Sequence, residues 1–203
     1  MNLYRNTNWC KPLTLILIVM LAGLVSFDRP ATMVLIHTDL GDISVELYME
    51  KAPVTAGNFL SHVEQGNYTN SIFYRVVRMD NQAQSKVKIE VIQGGLFKDE
   101  ILDTIAPIRH ESTHETGILH TDGVISMARM EPGSASTEFF ICIGDQPSLD
   151  YGGTRNPDGQ GFAAFGKVVE GMDVVRSIQA QADEGQYLKE QVKIRGISLI
   201  TKP

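Results

Sequence analysis

Only two cysteines occur among 203 residues, Cys10 and Cys142. Cys10 lies within the first thirty residues, so a mature chain that loses them has no intramolecular disulfide to form. Cys142 stands alone in the apolar run Phe139-Phe140-Ile141-Cys142-Ile143. It reads as a small buried hydrophobe, because no basic neighbour is present to stabilise a thiolate. No cluster of lysine or arginine appears after the N-terminal segment. The formal net charge is -6 overall, and without residues 1–32 it is -8, from 15 basic and 23 acidic residues. Nucleic acid is excluded as a partner on that ground. The chain also lacks internal repeats and any composition shift that would mark a second-domain linker. One sizeable core is expected.

Residues 1–32 read as a separate segment. Arg5 and Lys11 precede the apolar run Leu13 to Val25, and polarity returns at Ser26, Asp28, Arg29 and Pro30. A basic head, an apolar stretch and a polar exit describe a secretory signal peptide. The run is short for a hydrocarbon core, which needs roughly 20 apolar residues. The best small-residue cleavage site is Leu24-Val25-Ser26, so the alternative is an uncleaved anchor formed by residues 13–27. No cysteine follows the run, which argues against a lipid anchor there. An exported protein, periplasmic or secreted, is expected, touching a membrane only through this segment. Residues 33–203 form the working domain.

Within that domain, Met33 to Thr38 and Ile43 to Tyr48 are β-like runs around Asp39-Leu40-Gly41-Asp42, a hairpin signal. Pro53 suits the first position of a helix in which Phe59, Leu60 and Val63 recur at helical spacing before Gly66. Phe73-Tyr74-Arg75-Val76-Val77 is rich in aromatic and β-branched residues and reads as a strand. Strict alternation would place Phe73, Arg75 and Val77 on one face. Val87 to Ile92, Gly123 to Ala128, Phe139 to Ile143, Phe165 to Val169 and Val192 to Ile200 are further strand-like runs, the last interrupted at Gly196 as if by a bulge. A second helix follows Gly171, with Val174, Val175 and Ile178 on one face. Lys98 to Asp122 shows no convincing periodicity and is expected to be a surface connection. Many short strands and two helices indicate a mainly β domain, sandwich or barrel.

The order Phe73-Tyr74-Arg75-Val76-Val77, Gln93-Gly94-Gly95, Ser126-Met127-Ala128, Glu138-Phe139-Phe140-Ile141, Leu149-Asp150 and Phe165-Gly166-Lys167-Val168-Val169-Glu170-Gly171-Met172 resembles the cyclophilin family of peptidyl-prolyl cis–trans isomerases. The resemblance spans the whole domain. It implies a closed eight-stranded antiparallel β-barrel capped by two α-helices, acting as a monomer on proline-containing segments of unfolded or partly folded proteins. It implies no cofactor and no metal. Arg75 matches the arginine that hydrogen-bonds the prolyl nitrogen. Phe73, Val91, Phe140, Leu149 and Phe162 match the walls of the proline pocket, with Phe139 assigned to the core. Gln93 matches the glutamine that orients the arginine and the substrate carbonyl. Ala128 and the Arg129 backbone match the groove for the preceding peptide unit. Glu138 replaces a glutamine, Ser148 an aromatic residue and Phe162 a histidine or tyrosine, while Glu90 stands near the place of a pocket phenylalanine. An acidic Glu138 beside Arg75 would pair with it and compete with substrate. That leaves a second reading, a proline-peptide binding module with weak catalysis.

A third reading comes from His110-Glu111-Ser112-Thr113-His114-Glu115-Thr116-Gly117-Ile118-Leu119-His120. As a string it matches the extended zinc-peptidase pattern H-E-x-x-H-x-x-G-x-x-H, with His110, His114 and His120 as ligands and Glu111 as base. That chemistry needs His110 and His114 on one face of a packed helix. Pro107 precedes the motif, and Ser112, Thr113 and Thr116 are weak helix formers. The pattern is therefore expected to be incidental.

Overall fold

The computed structural model describes residues 31–97 and 104–200. The leader or anchor expected at residues 1–32, including the apolar run, lies almost wholly outside the described residues. Among these residues nine strands and three α-helices follow in the order β1 (Thr32–Thr38), β2 (Gly41–Leu47), α1 (Pro53–Glu64), β3 (Ser71–Val77), β4 (Val91–Gly95), α2 (Thr113–Thr116), β5 (Val124–Met127), β6 (Phe139–Cys142), β7 (Ala163–Glu170), α3 (Met172–Gln179), β8 (Asp183–Glu184) and β9 (Tyr187–Ile200).

All pairings are antiparallel. The sheet runs β1-β2-β7-β5-β6-β4-β3-β9, and β9 pairs back to β1, so eight strands close into a barrel. Closure removes the exposed edges that an open sheet would present. The two-residue strand β8 pairs only with β9 and forms a hairpin outside the ring. The β1–β2 turn is Asp39-Leu40, with Thr38 opposite Gly41. Opposite β1, the register of β9 passes from Gly196 to Ile194 between adjacent β1 residues, so the bulged residue is Arg195, next to the glycine.

Inward-facing side chains pack the barrel interior, including Ile36, Val45, Phe73, Val76, Ile92, Ile125, Met127, Phe139, Ile141 and Phe165. Phe59 from α1 enters this core against Tyr68, Phe139 and Phe165, with ring centroids 5.1–5.5 Å apart. Helix α1 packs against β7 and β9, and α3 against β2, β3 and β4. Val175 and Ile178 are the buried residues of α3.

The stretch expected to be a loose connection is in part a structural tie. Glu111 is 1% exposed. Its carboxylate accepts hydrogen bonds from the Val54 and Thr55 backbone N–H groups and from the Thr55 hydroxyl, at 3.2, 2.7 and 2.7 Å. Helix α1 starts at Ala52-Pro53, and Ala52 has no side chain that can cap it. A carboxylate 56 residues away in sequence caps the helix instead and sits at the positive end of its dipole. Glu111→Ala would strand three donors inside the protein. Net values for charged hydrogen bonds and for lost caps put the cost at about 2–3 kcal/mol, or roughly a 5–10 °C fall in Tm for a domain of this size. Thermal unfolding of the variant measures this; an unchanged Tm would remove the capping role.

Candidate active site

The strand carrying Arg75 does not alternate regularly. Phe73 pairs with Gly94 and Arg75 with Gln93, so Tyr74 is an extra residue, a β-bulge. The bulge moves Phe73 and Arg75 to opposite sides. Phe73 is fully buried in the barrel core, its ring edge-on to Phe139 at 5.7 Å. The expectation that Phe73 walls the pocket is therefore incorrect: an inserted residue shifts the alternation by one. Arg75 and Val77 turn outward into the cleft side, and Val76 takes the inward place.

A cleft of about 490 Å³ lies over the outside of the barrel at β3, β4 and β6. Val91, Gln93, Ala128, Arg129, Glu138, Phe140, Leu149 and Phe162 all line it together with Arg75. These nine residues are the sequence-derived site without Phe73. Val77, Ile89 and Cys142 complete a buried cluster behind Val91, Phe140 and Leu149. Phe140 and Phe162 meet edge to face at 5.3 Å, giving the pocket two perpendicular aromatic walls. Adjacent residues on β6 face opposite ways, so Phe139 points to the core and Phe140 to the cleft.

Arg75 is half-buried at the rim. Nη1 donates to Gln93 Oε1 at 2.8 Å, and Nε and Nη2 donate to Gln186 Oε1 at 3.1 and 2.6 Å. Burial lowers its pKa from the ordinary arginine value, against smaller raising contributions from Tyr187 and Tyr74. Arginine stays charged under such a shift. No carboxylate among the described residues pairs with it, so the charge is oriented by neutral amides and left uncompensated.

Gln93 is itself fixed, because its Nε2 donates to the Tyr74 hydroxyl at 2.6 Å. The two glycines after it have steric causes. A Cβ on Gly94 would lie 2.7 Å from the Phe73 ring and 2.8 Å from the Ile72 carbonyl oxygen. A Cβ on Gly95, whose φ is +149°, would meet the Glu138 carboxylate at 2.3 Å.

Glu138 does not pair with Arg75, contrary to the expectation. Its Oε1 instead accepts from the Leu96 and Phe97 backbone N–H groups at 2.7 and 3.3 Å and from the Thr137 hydroxyl at 3.4 Å. The Tyr74 hydroxyl faces the same carboxylate, yet Oε2 is buried without a partner of ordinary hydrogen-bond geometry among the described residues. Burial raises the Glu138 pKa more than these donors lower it, and the carboxylate in turn helps burial push the Tyr74 hydroxyl up. A raised carboxyl pKa means that the folded chain holds the proton more tightly than the unfolded chain. Stability from this group is therefore full below the unfolded value of about 4.3 and is lost as pH rises through the folded value. Glu138→Gln is expected to be more stable than the wild type at pH 7, with the gap closing below about pH 4 as the carboxyl takes up its proton. Thermal unfolding of both proteins across that range tests this. A gap that widens on acidification would contradict it.

Arg129 supports the opposite wall. Its guanidinium donates bidentately to Asp158 at 2.9 Å, donates to the Gly161 carbonyl at 2.6 and 2.8 Å, and lies 5.1 Å from the centre of the Phe162 ring. It thereby pins the loop that delivers Phe162. Arg155, which also lines the cleft, is held by the Val87 carbonyl at 2.6 Å and the Ser85 hydroxyl at 3.1 Å.

His120, Asp150 and Ser126 have the connectivity of a hydrolase triad. Nδ1 lies 2.7 Å from Asp150 Oδ1 and Nε2 lies 3.0 Å from Ser126 Oγ. Ser126 is 0% exposed, however, so no acyl carbon can reach its oxygen. The trio acts as a strut: the His120 ring stacks on Phe140 at 5.9 Å and meets Phe162 edge-on at 6.5 Å. Cys142 is equally sealed, and burial pushes its thiol far up. Among the described residues that line this cleft there is no serine or cysteine.

The three histidines of the peptidase pattern do not converge. Helix α2 begins only at Thr113, so His110 lies outside it, its Nε2 donating to the Gln160 carbonyl at 3.1 Å. His114 packs on Tyr151, His120 belongs to the strut, and Glu111 is committed to the α1 cap. Among the described residues no group of three or more His, Cys, Asp or Glu side chains could hold a metal ion.

Gln186, Tyr74, Tyr187, Phe97 and Arg155 escape the sequence reading as site residues. Four of them line the cleft, and Gln186 supports Arg75 from behind. Gly185-Gln186 carries only a turn signal, and nothing local points that turn at β3.

Residues 33–199 match the family model described as cyclophilin-type peptidyl-prolyl cis-trans isomerase/CLD. A peptidyl-prolyl cis-trans isomerase of Acinetobacter baylyi is 40% identical over 150 residues, covering 72% of this chain and 71% of its own length. Peptidyl-prolyl cis-trans isomerase B of Escherichia coli is 37% identical over 153 residues, covering 74% and 85%. Among solved structures, a cyclophilin-type peptidyl-prolyl cis-trans isomerase of Cryptosporidium parvum superposes with a TM-score of 0.66 at 22% identity, over 85% of this chain and 99% of its own. A second structure of that protein, obtained in the presence of the dipeptide Ala-Pro, gives a TM-score of 0.65 at 20% identity over 84% and 99%.

Proposed function

The chain belongs to the cyclophilin-type peptidyl-prolyl cis–trans isomerase family, and from that premise we propose that Arg75 is its catalytic donor, acting on exported client proteins. It is an enzyme that interconverts cis and trans X–Pro bonds. The step to be explained is a rotation barrier of about 18–20 kcal/mol, set by delocalisation of the amide nitrogen lone pair. In the planar ground state that lone pair cannot accept a hydrogen bond. When the bond is twisted toward a right angle, the nitrogen becomes pyramidal and accepts one. A donor poised at the prolyl nitrogen therefore binds the twisted state better than either planar isomer, which is the condition for acceleration.

The observation that carries this reading is the state of Arg75. It stands at the rim of an apolar cleft, held on both sides by neutral carboxamides and paired with no carboxylate among the described residues. The proline ring enters between Phe140, Val91, Leu149 and Phe162, and Ala128 and the Arg129 backbone border the preceding peptide unit. Gln93 keeps the guanidinium aimed, with its own amide group held by Tyr74. No bond is made or broken and no proton moves, so the sealed serine and thiol are consistent with the chemistry. The Ala-Pro dipeptide present with the Cryptosporidium protein is the class of ligand this cleft would take.

The direct test is NMR exchange spectroscopy on an X–Pro peptide with catalytic amounts of the protein. Enhanced cis–trans exchange is the expected result. Peptide binding with exchange at the uncatalysed rate would leave a proline-peptide binding module instead.

Export rests on residues 1–32, with their basic head, apolar run and polar exit. Expressed at full length in a bacterium, the chain is expected outside the cytoplasm, either cut near Ser26 or held at the membrane by residues 13–27. An intact chain free in the cytoplasm would overturn this.

A further inference from the structure

We propose that Gln186, at the tip of the β8–β9 hairpin, is a positioning residue for the isomerisation: it fixes the plane of the Arg75 guanidinium without neutralising its charge. The proposal rests on Arg75 being the donor to the prolyl nitrogen.

The hairpin joins Glu184 to its partner Tyr187 through Gly185 and Gln186, with φ of +57° and +78°. Two successive left-handed residues are the signature of the tightest hairpin turn, whose second position favours glycine. A glutamine there bears a conformational cost, since its Cβ crowds the backbone in that region and its amide is too long to relieve it locally. Something else must hold it in place. Its backbone N–H donates to Asp183 Oδ2 at 3.0 Å, its carbonyl accepts from the Val76 N–H at 2.8 Å, and its Nε2 donates to the Asn81 carbonyl at 3.1 Å. Its Oε1 then takes both Nε and Nη2 of Arg75. Each polar group of this turn residue is engaged, and its side chain ties the Asn81 carbonyl to the arginine.

The mount is rigid as well. Asp183 accepts from Asn81 Nδ2 at 3.0 Å and is paired with Arg78, whose Nη1 donates to the Gln179 carbonyl at the end of α3 at 2.7 Å. The hairpin tip is thus fastened to β3, to the segment after it and to α3. Arg75 lines the cleft and Gln186 does not. A carboxylate at this place would orient the guanidinium equally well but would draw its charge away from the prolyl nitrogen. A carboxamide orients it and leaves the charge free. Gln93 plays the same part at Nη1, so the guanidinium is gripped from two sides.

The test is Gln186→Gly, a residue that accepts the left-handed turn without strain, compared with the wild type, Arg75→Ala and the double variant. Thermal unfolding, X–Pro peptide affinity, NMR exchange rates and the hydrogen exchange of the Arg75 Nε–H signal, assigned by its loss in Arg75→Ala, are read together. Gln186→Gly is expected to keep Tm within a few degrees and to bind the peptide with unchanged affinity. It is expected to isomerise about tenfold more slowly and to lose the protection of the Nε–H signal. In the Arg75→Ala background the second substitution is expected to change nothing further. An unchanged rate in Gln186→Gly, a slower rate with Nε–H protection intact, or an added loss on top of Arg75→Ala would each overturn the proposal. Full activity in Arg75→Ala alone would instead bring down the reading of Arg75 as donor.

Discussion

Arg75→Ala is expected to slow catalysed isomerisation of an X–Pro peptide by roughly a hundred- to a thousandfold, the range seen when a preorganised donor to a transition state is removed. Peptide affinity is expected to change little, because the apolar walls Phe140, Val91, Leu149 and Phe162 remain and, under the proposed mechanism, the donor engages only the twisted amide. Arg75→Lys is expected to fall between the two. A lysine keeps the charge, but it is a single point of donation on a flexible stem and cannot hold both Gln93 and Gln186. Exchange rates and binding isotherms on the same peptide separate the terms. A variant that loses affinity in proportion to rate would show Arg75 to be a ground-state contact. Retention of full rate would remove it from the chemistry.

Two glycine-to-alanine substitutions are expected to move stability in opposite directions. At Gly94 the new methyl meets the Phe73 ring and the Ile72 carbonyl at distances that no relaxed Cβ adopts. One contact is backbone and the other is a ring locked against Phe139, so neither can give way cheaply. The cost is about 2–3 kcal/mol, a fall in Tm of roughly 5–10 °C. Because Gly94 follows Gln93 and opposes Phe73 across the bulge, spreading β3 from β4 also draws Gln93 away from Arg75. Activity is expected to fall in the variant even at temperatures where it stays folded. Gly57 lies inside helix α1 with open space where its Cβ would be. There alanine lowers the entropy of the unfolded chain and raises stability by about 0.5–1 kcal/mol, with activity unchanged. Thermal denaturation of the pair measures both. Equal effects of the two substitutions would show that the close approach at Gly94 is not a constraint.

Where the sequence misleads, the cause is in each case a contact between distant segments. Phe73 reads as a groove residue because alternation is assumed, and the bulge at Tyr74 depends on how β4 and β9 both pair with β3. Glu138 reads as a rival for Arg75 because the two lie near one cleft, but the backbone donors of Leu96 and Phe97 claim its carboxylate. His110 to His120 matches a zinc-binding pattern only as a string, expected to be incidental: helix α2 starts too late to align its first two histidines, and Glu111 caps α1 from outside. Gln186 carries a turn signal and nothing more, since a turn residue's target across the barrel is not a local property.

What residue order alone determined is the eight strands of the barrel, the two longer helices and the residues from Val91 to Phe162 that line the cleft, because periodicity and ordered motifs are properties of neighbours along the chain. What only the tertiary structure decided is which partner each polar group finds. Burying an unpaired carboxylate, guanidinium or helix N-terminus is costly, so each takes the best donor or acceptor that folding brings within reach. For Arg75 that partner is a pair of neutral carboxamides, Gln93 and Gln186, and for Glu138 it is backbone. The arginine is therefore left charged and held in a fixed plane at the rim of the cleft.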